Sequence, residues 1–374
     1  MSKNTFDVIL VGGGIISSSI AYQLAKRQAR VLIVEKNEMG CEASSAAAGM
    51  LGAQSEFSSE HPLIPLALDS RKLFPTLVEE LEEVTKIDIG IVQKGLIKMA
   101  TNDAHFQELI SHFTFWKEQG EKVEWLHEKE LQKLESNINH SKGAMYIPND
   151  GQVRAADMTR AFCKAACQLG AVVKENTEVL DFLTEHDSIR GIKTTKGEFH
   201  AKYVVVAGGA WTNQLLKTDW VFPVKGECVS IVTKEPLVEA TVFSKDGCYI
   251  VPKKGNRLFI GATSVPHSYD KSVSVQGLTS LLDRAQSLLP KLREGVIERM
   301  WSGIRPQTKD GLPILGEHPS IKGVWIASGH YRNGILLSPI TGVVMADLIE
   351  GKECKYDLTP FQLERIYEEE TIWN

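Results

Sequence analysis

Apolar and polar positions along the first 35 residues follow the order of a strand, a helix and a second strand. The apolar run Val8–Val11 ends in three glycines, Gly12–Gly14. An amphipathic run follows to about Lys26, and a second apolar run, Val31–Val34, ends in Glu35. This order, with a glycine turn between the first strand and the helix, predicts the βαβ unit that binds a dinucleotide.

Each part of this unit has a physical task. Gly12 can adopt a turn conformation that a β-carbon would hinder, and Gly14 lets the backbone approach a pyrophosphate at the positive end of the helix. Glu35 lies 21 residues after Gly14, where a carboxylate can accept the ribose hydroxyls of an adenosine. Ser17 replaces the third glycine of the G-x-G-x-x-G pattern. We interpret this as a tolerated deviation, because serine is only slightly larger.

Two further strand-to-glycine signals follow later in the chain. Tyr203–Trp211 brings an apolar run to the paired glycines Gly208 and Gly209, about 195 residues after the first turn. Gly323–Ser328 leads through a third glycine-containing turn into the long apolar run Ile335–Ile349, for which we expect a helix. The wide separation of these signals predicts a nucleotide-binding domain that is discontinuous in sequence.

Between these signals, the spacing of apolar residues separates helices from strands. Helical spacing occurs at His61–Lys86, Asp103–Gln119, Glu128–Glu135, Ala156–Leu169 and Gln276–Leu289. Period-two alternation predicts an antiparallel sheet that contains Pro223–Thr233, Gly247–Pro252 and Arg257–Thr263. The charged tail from Lys352 onward is expected to be peripheral.

These elements predict an α/β fold with two domains. The first is a discontinuous Rossmann-type nucleotide-binding domain, and the second is a substrate domain with an antiparallel sheet and helices. We expect the first domain to comprise 1–86, 150–218 and 300–374, and the second to comprise 87–149 and 219–299.

Composition narrows the function classes. The chain has 374 residues and a net charge of −5, which gives no reason to expect nucleic acid or an anionic membrane as a partner. No apolar run approaches the roughly 18 residues that span a bilayer, and the first residues lack the apolar region of a signal peptide. The six cysteines form no C-x-x-C pattern, and we expect Cys163 and Cys167 to be a buried pair on one helix. A cytoplasmic protein without a metal site is therefore expected.

Candidate chemistry lies in a loop of small residues and at three polar side chains. Met39–Ala53 is rich in Gly, Ala and Ser, which favours contact with a flat ligand over a flexible linker. Arg305 and Arg332 lie beside glycine turns, where a buried guanidinium needs an anionic partner. Tyr249 can add a hydroxyl from the predicted sheet. For each, the alternative is a structural ion pair or a core tyrosine.

Six runs of the sequence together resemble the D-amino acid oxidase family of flavoproteins. Within that family they are most similar to the bacterial glycine oxidases of the thiamin thiazole pathway. The resemblance covers nearly the whole chain in the correct order, and the last run is the most specific. The runs are Ile9–Ser17, Ser44–Gly52, Pro223–Cys228, Cys248–Pro252, Trp301–Gly311 and Gly329–Ser338.

The resemblance implies roles for the polar candidates. Arg305 would hold the substrate carboxylate with Tyr249 beside it, and Arg332 would lie against the carboxylate or the flavin. Met50 would line the substrate site. His330 is tempting as a general base, but a hydrogen-bonded structural role is expected for a histidine in a glycine turn, and no general base is assigned.

The resemblance also implies FAD as the cofactor. FAD should be noncovalent, because sarcosine oxidases attach flavin through a cysteine in the segment that corresponds to Trp301–Gly311, and this chain has no cysteine between residues 249 and 353. The expected cofactor-binding residues are Gly12, Gly14, Ile15, Ile16, Glu35, Lys36, Ala43, Ser44, Ala48, Gly49, Met50, Val179, Arg332, Asn333, Gly334, Ile335, Leu336, Leu337 and Ser338.

The implied reaction is oxidative deamination of glycine and other small amines or D-amino acids, by hydride transfer to flavin N5 and reoxidation by O2. The glycine imine would supply the thiazole of thiamin. The alternatives are a D-amino acid dehydrogenase, a sarcosine oxidase-like enzyme, an NAD-dependent dehydrogenase and, in another class, a flavin-bearing subunit of a multi-chain complex. The expected partners are a small amino acid and O2, and the relatives suggest a homotetramer.

Overall fold

The apolar runs that open the chain form the centre of a mostly parallel sheet. A computed structural model describes residues 4–366 of the protein. Strand Thr5–Val11 pairs in parallel with Val31–Val34 on one side and with Gly197–Val206 on the other. Val8, Ile9 and Leu10 are nearly inaccessible to solvent, as expected for a strand with both faces covered.

In chain order, we number the helices α1–α10 and the strands β1–β17. The helices are α1 Ile15–Lys26, α2 Ala43–Ala46, α3 Ala53–Glu56, α4 Ile64–Thr85, α5 Asp103–Glu118, α6 Glu128–Leu134, α7 Ala155–Gln168, α8 Thr212–Leu216, α9 Val275–Leu288 and α10 Gly334–Ile349. The strands are β1 Thr5–Val11, β2 Val31–Val34, β3 Leu96–Met99, β4 Glu124–Leu126, β5 Ala144–Ile147, β6 Val172–Lys174, β7 Val179–Glu185, β8 Ser188–Thr194, β9 Gly197–Val206, β10 Val221–Val232, β11 Thr241–Ser244, β12 Tyr249–Lys253, β13 Arg257–Gly261, β14 Val265–Pro266, β15 Val296–Thr308, β16 Ile314–Glu317 and β17 Val324–Ser328.

The first sheet has the order β16-β17-β9-β1-β2-β6, with the hairpin β7–β8 joined to β9. All three strands that lead into glycine turns, β1, β9 and β17, are neighbours in this sheet and run in parallel. Their carboxyl ends, and therefore their glycine turns, meet at one edge. The sequence signals that lie far apart in the chain thus come together in space.

The second sheet has the order β14-β10-β13-β12-β11-β3-β5-β4, with β15 paired to β10. Most neighbours are antiparallel, and β3–β11 is a parallel exception. The predicted α/β fold with two sheets is confirmed. Strand β15 belongs to this second sheet and crosses the expected boundary at residue 300, so the division into domains stays a prediction.

Helices α1, α4, α7 and α10 pack together on the first sheet and form the largest core cluster. A β-carbon on Gly342 of α10 would lie 2.3 Å from Ser19 Oγ of α1, so the two helices approach closely where glycine allows it. We expected no run long and apolar enough to span a membrane, but Tyr331–Ile349 is such a stretch by length and composition. In its most apolar part, 67% is buried inside the molecule. Its apolar character is explained by this burial between neighbouring helices.

Two expectations about the periphery were wrong. The tail after Lys352 is not peripheral as far as the structure describes it, because Phe361 and Leu363 are almost fully buried. The many charged residues of this segment led us to expect a peripheral position, although apolar residues lie between them. Cys163 and Cys167 share one face of α7, but Cys167 is exposed, so they are not a buried pair. The rest of the tail that we expected to be peripheral, residues 367–374, lies outside the described part of the chain.

Candidate active site

The three glycine turns surround the first of two adjoining cavities. Gly12 has φ +108°, and a β-carbon there would lie 2.5 Å from the carbonyl oxygen of Ala207, so both conformation and space require glycine. The turn after β9 contributes Gly208 and Gly209, and the turn after β17 contributes Gly329. The cavity encloses about 1520 Å³ including its open mouth.

Glu35 follows β2 directly and lines this cavity. Its carboxylate accepts hydrogen bonds from the backbone N–H of Gly13 at 2.6 Å and of Asn37 at 2.8 Å. Its exposed fraction is 9%, it lines the cavity, and each carboxylate oxygen can accept a further hydrogen bond. The arrangement suits a pair of ribose hydroxyls.

The small-residue loop is fixed by contacts with three other elements. Ser44 Oγ accepts a hydrogen bond from the N–H of Ile15 at 2.9 Å, and Trp301 Nε1 donates to the carbonyl of Ala46 at 3.0 Å. Lys253 Nζ donates to the carbonyl of Ala48 at 2.6 Å. Gly49 has φ +81°, and a β-carbon there would lie only 1.9 Å from a backbone oxygen. The loop is therefore a rigid wall between the two cavities.

The second cavity adjoins the first. Ala43, Ala47, Tyr331 and Ile335 contribute to the walls of both, so the two cavities share a boundary. The second cavity encloses about 1300 Å³ including its mouth. Its polar walls come from strands β10, β12 and β15 of the second sheet and from the turn before α10.

Arg305 enters the second cavity from β15. Its Nη1 donates to the carbonyl of Thr263 at 3.3 Å, and within residues 4–366 no carboxylate lies within ion-pair distance of its guanidinium. A β-carbon on Gly226 would lie 2.3 Å from Nη1, so glycine on the neighbouring strand makes room for this side chain. A positive group without a protein counterion, in a partly closed cavity, suits an anionic ligand.

Arg332 enters the same cavity from the turn before α10. We expected it to be buried, but 36% of its side chain is exposed within the cavity. Its Nη2 lies 3.2 Å from Glu56 Oε1, and this carboxylate raises the pKa of Arg332. Arg332 therefore forms an ion pair within the protein, which was the alternative to ligand binding for both arginines, and Arg305 forms none in the described structure.

Tyr249 lies between these arginines and the core. Its exposed fraction is 8%, and its hydroxyl lies 3.7 Å from Cys228 Sγ. Burial raises the pKa of Tyr249 well above its usual range, so the side chain remains a neutral hydroxyl that can donate a hydrogen bond.

Most of the residues expected from the sequence line one of the two cavities. The first contains Gly12, Gly14, Ile15, Ile16, Glu35, Lys36, Ala43, Ser44, Val179, Gly334 and Ile335. The second contains Ala43, Ala48, Gly49, Met50, Tyr249, Arg305, Arg332 and Ile335.

Four expected residues line neither cavity. Asn333 caps α10 at its N-terminal end, and Leu336, Leu337 and Ser338 are buried in the helix packing. Ser338 Oγ donates to the helix's own carbonyl at Ile335, 2.9 Å away. The resemblance implies contact through the backbone of Arg332–Ser338 and the N-terminus of α10, which does not require these side chains to line a cavity. The first N–H groups of α10 have no partner within the helix and suit such a contact, so the assignment of these residues to the cofactor stays a prediction.

Sequence reasoning missed several residues of the walls. Glu56 and Thr263 are polar residues in segments without a motif, and Cys228 ends one of the six family-like runs without a predicted role of its own. Gly208 and Gly209 were recognised as a turn but were not assigned to the cofactor. Their position after a strand was a usable signal, whereas nothing local marks Glu56 as the partner of a residue 276 positions away.

Comparison with known proteins gives one family and close relatives. The profile of the DAO family, described as FAD dependent oxidoreductase, matches residues 7–348. The chain is 53% identical to the glycine oxidase of Geobacillus kaustophilus over 367 residues, 96% of this chain and 97% of the relative. The crystal structure of glycine oxidase from that organism matches with a TM-score of 0.93 over 96% of this chain and 99% of that one. The bifunctional protein ThiO/ThiG of Synechocystis is 33% identical over 93% of this chain and 52% of its own length.

Proposed function

Because this chain belongs to the DAO family of FAD-dependent oxidoreductases, we propose that it oxidises glycine and other small amines or D-amino acids with O2. Glycine, O2 and water give glyoxylate, ammonia and hydrogen peroxide. The observation that carries this proposal is the guanidinium of Arg305, which faces the second cavity without a carboxylate partner in the described chain. An amino acid carboxylate is the anion that this site fits best.

The residues present fit FAD, as the family requires. The Gly12 turn leaves no room for a β-carbon, Glu35 lines the first cavity, and the small-residue loop contributes Ala43 and Ala47 to the walls of both cavities. We propose that these groups hold the pyrophosphate, the ribose and the flavin end of FAD in that order. When bound, FAD accepts a hydride from the substrate α-carbon and passes the electrons to O2.

The side chains of the second cavity would bind and orient the substrate. Arg305 would hold the carboxylate through two parallel hydrogen bonds, and Tyr249 would donate a third from its neutral hydroxyl. Met50 would bound the site near the substrate. His330 is buried, with its Nε2 3.1 Å from Thr341 Oγ1, and burial lowers its pKa to about 3. We therefore propose a structural role for His330 and assign no general base.

A peroxide assay tests this function. With purified flavin-loaded enzyme we expect one peroxide and one ammonia per glycine consumed. Peroxide formation is then compared for glycine, sarcosine, D-alanine and D-proline. Arg305→Ala should raise the Michaelis constant for glycine about 100-fold, because charge-assisted hydrogen bonds to the carboxylate are lost. Arg305→Lys keeps the charge and should recover only part of the loss. An unchanged Michaelis constant in Arg305→Ala would refute the assignment.

The same assay separates the alternatives. A D-amino acid dehydrogenase would reduce an artificial acceptor without stoichiometric peroxide, and a flavin-bearing subunit would not turn over alone. Noncovalent FAD should pass into the supernatant when the protein is precipitated with acid. Flavin that stays with the pellet would favour the sarcosine oxidase-like alternative. An NAD-dependent dehydrogenase is excluded by the family assignment.

Three finer statements remain proposals. The glycine imine would supply the thiazole of thiamin, and similarity to about half of the bifunctional ThiO/ThiG protein supports this link. The resemblance suggests a homotetramer, and the cysteine usage together with the first residues of the sequence suggests a cytoplasmic location. Light scattering of the holoenzyme tests the first of these two, and cell fractionation tests the second.

A further inference from the structure

The two arginines of the second cavity differ in charge compensation. Arg332 pairs with Glu56 at 3.2 Å, whereas Arg305 has no carboxylate within ion-pair distance in the described chain. Both arginines and Tyr249 line this same cavity. A ligand with one negative group therefore meets one uncompensated guanidinium, although the cavity contains two.

The backbone segment around Glu56 is anchored by hydrogen bonds from buried side chains. Glu56 ends the short helix α3, and three buried side chains bind the carbonyl groups of that segment. His112 Nε2 donates to the carbonyl of Gln54 at 2.8 Å, and Lys98 Nζ donates to that of Ser55 at 2.8 Å. Trp116 Nε1 donates to the carbonyl of Phe57 at 2.7 Å.

The protonation states of these anchors agree with the hydrogen bonds. Burial and the nearby Lys98 lower the pKa of His112 to about 3, so its ring is neutral and can accept from Lys98 Nζ through Nδ1, 3.2 Å away. The other ring nitrogen then carries the proton that is donated to Gln54. The backbone on both sides of Glu56 is therefore anchored by these hydrogen bonds.

We infer that Glu56 is a specificity-determining residue that restricts this cavity to substrates with one negative group, because it occupies the guanidinium of Arg332 and leaves only that of Arg305. This inference rests on the proposed function and names the substrate class of the same site. The cavity is much larger than glycine, so volume alone does not exclude a second carboxylate. The exclusion is electrostatic, since Glu56 lies 3.2 Å from the Arg332 guanidinium and would repel a second carboxylate there.

Two ligands that cannot be deaminated test this charge selection. Glycolate has one carboxylate, and diglycolate has two, linked through an ether oxygen. Their dissociation constants are measured on the flavin-loaded enzyme from the change in flavin absorbance. In Glu56→Gln, the affinity for diglycolate relative to glycolate should rise at least about tenfold, because the freed guanidinium of Arg332 accepts the second carboxylate. Glu56→Asp keeps the charge and should retain the wild-type preference.

Asp246→Asn is the matched control, because Asp246 lines the same cavity, accepts hydrogen bonds from Ser244 and Cys248 and forms an ion pair with neither arginine in the described structure. Its ligand preference should stay within about twofold of the wild type. The double variant Glu56→Gln/Arg332→Gln should lose the gain for diglycolate.

An unchanged preference in folded, flavin-loaded Glu56→Gln would overturn the inference, as would an equal rise in Asp246→Asn. If Glu56→Gln fails to fold, the wild type still decides, because tenfold tighter binding of diglycolate than of glycolate contradicts the inference. These titrations involve no turnover. Failure of the proposed function appears instead as the absence of peroxide from glycine.

Discussion

Ser17, Ser18 and Ser19 are adjacent and completely buried in α1, yet their hydroxyl groups differ in hydrogen bonding. Ser19 Oγ donates to the carbonyl of Ser338 in α10 at 2.7 Å. The hydroxyls of Ser17 and Ser18 have no hydrogen-bond partner in the described structure. Ser17 thus replaces the third glycine of the turn pattern and fits sterically, at the cost of an unsatisfied buried polar group.

Ser17→Ala should stabilise the protein by about 1 kcal/mol, because it removes an unsatisfied hydroxyl and keeps the side-chain volume nearly constant. Ser19→Ala is the matched variant in the same helix and should destabilise it by about 1 kcal/mol, because it leaves the Ser338 carbonyl without this donor. Denaturant unfolding of the flavin-loaded proteins measures both. Equal effects of the two substitutions would contradict this account.

At the level of elements, strand β12 holds the loop that divides the two cavities. Lys253 Nζ, at the end of this strand, donates to the carbonyl groups of Ala48 and Val153 and to the side-chain oxygen of Gln152. A single amino group therefore joins the second sheet to the loop and to the segment before α7. Burial lowers the pKa of Lys253 to about 7, and in the protonated form its three N–H groups match the three acceptors.

Lys253→Met should weaken FAD binding about tenfold, because methionine fills the space but leaves the three oxygens unsatisfied and releases the loop. The dissociation constant for FAD is measured by the fluorescence of free flavin. Lys254→Met is the matched control on the next residue, whose side chain is exposed and pairs with Asp88 at the surface. A similar loss of FAD in both variants would argue against a specific role of Lys253.

The elements predicted from the sequence are those whose signals are local. The turn at Gly12 and the alternation of Gly247–Pro252 depend on neighbouring residues, and the structure has a glycine turn and a strand at those places. Glu56, Lys253 and their partners come from distant segments joined only by folding. Such contacts leave no periodic pattern, so Arg332 was recognised as a candidate while its counterion was not.

At the level of the whole molecule, buried histidines connect stability to pH. Burial lowers the pKa of His330 to about 3, while the unfolded chain has a value near 6.5. Between these values the unfolded state binds more protons, so the free energy of unfolding falls as pH drops below 6.5. Asp150 acts in the opposite direction, because burial raises its pKa to about 7. A variant comparison is therefore needed to isolate His330.

His330→Asn should reduce this loss, since asparagine does not titrate. From pH 7.5 to pH 5 the wild type should lose about 2 kcal/mol more than the variant, which corresponds to roughly 1.5 pH units below the unfolded pKa. Denaturant unfolding at both pH values measures the difference. His186→Asn is the control, because His186 is exposed in a surface turn. A difference that is the same for both variants would exclude the buried ring as the cause.

The last described segment completes the fold of the whole molecule. Phe361 is fully buried against the main helical core, and Leu363 packs with Ile314 and Ile326 on the far strands of the first sheet. Phe361→Ala should therefore cost about 3–5 kcal/mol of unfolding free energy, because a large cavity replaces the ring. Glu364→Ala, at an exposed position in the same segment, should change stability by less than about 0.5 kcal/mol.

Because β16 and β17 also carry the turn beside the first cavity, Phe361→Ala should release FAD at a lower denaturant concentration than the wild type. Loss of FAD at an unchanged concentration would show that this segment is independent of the cofactor site.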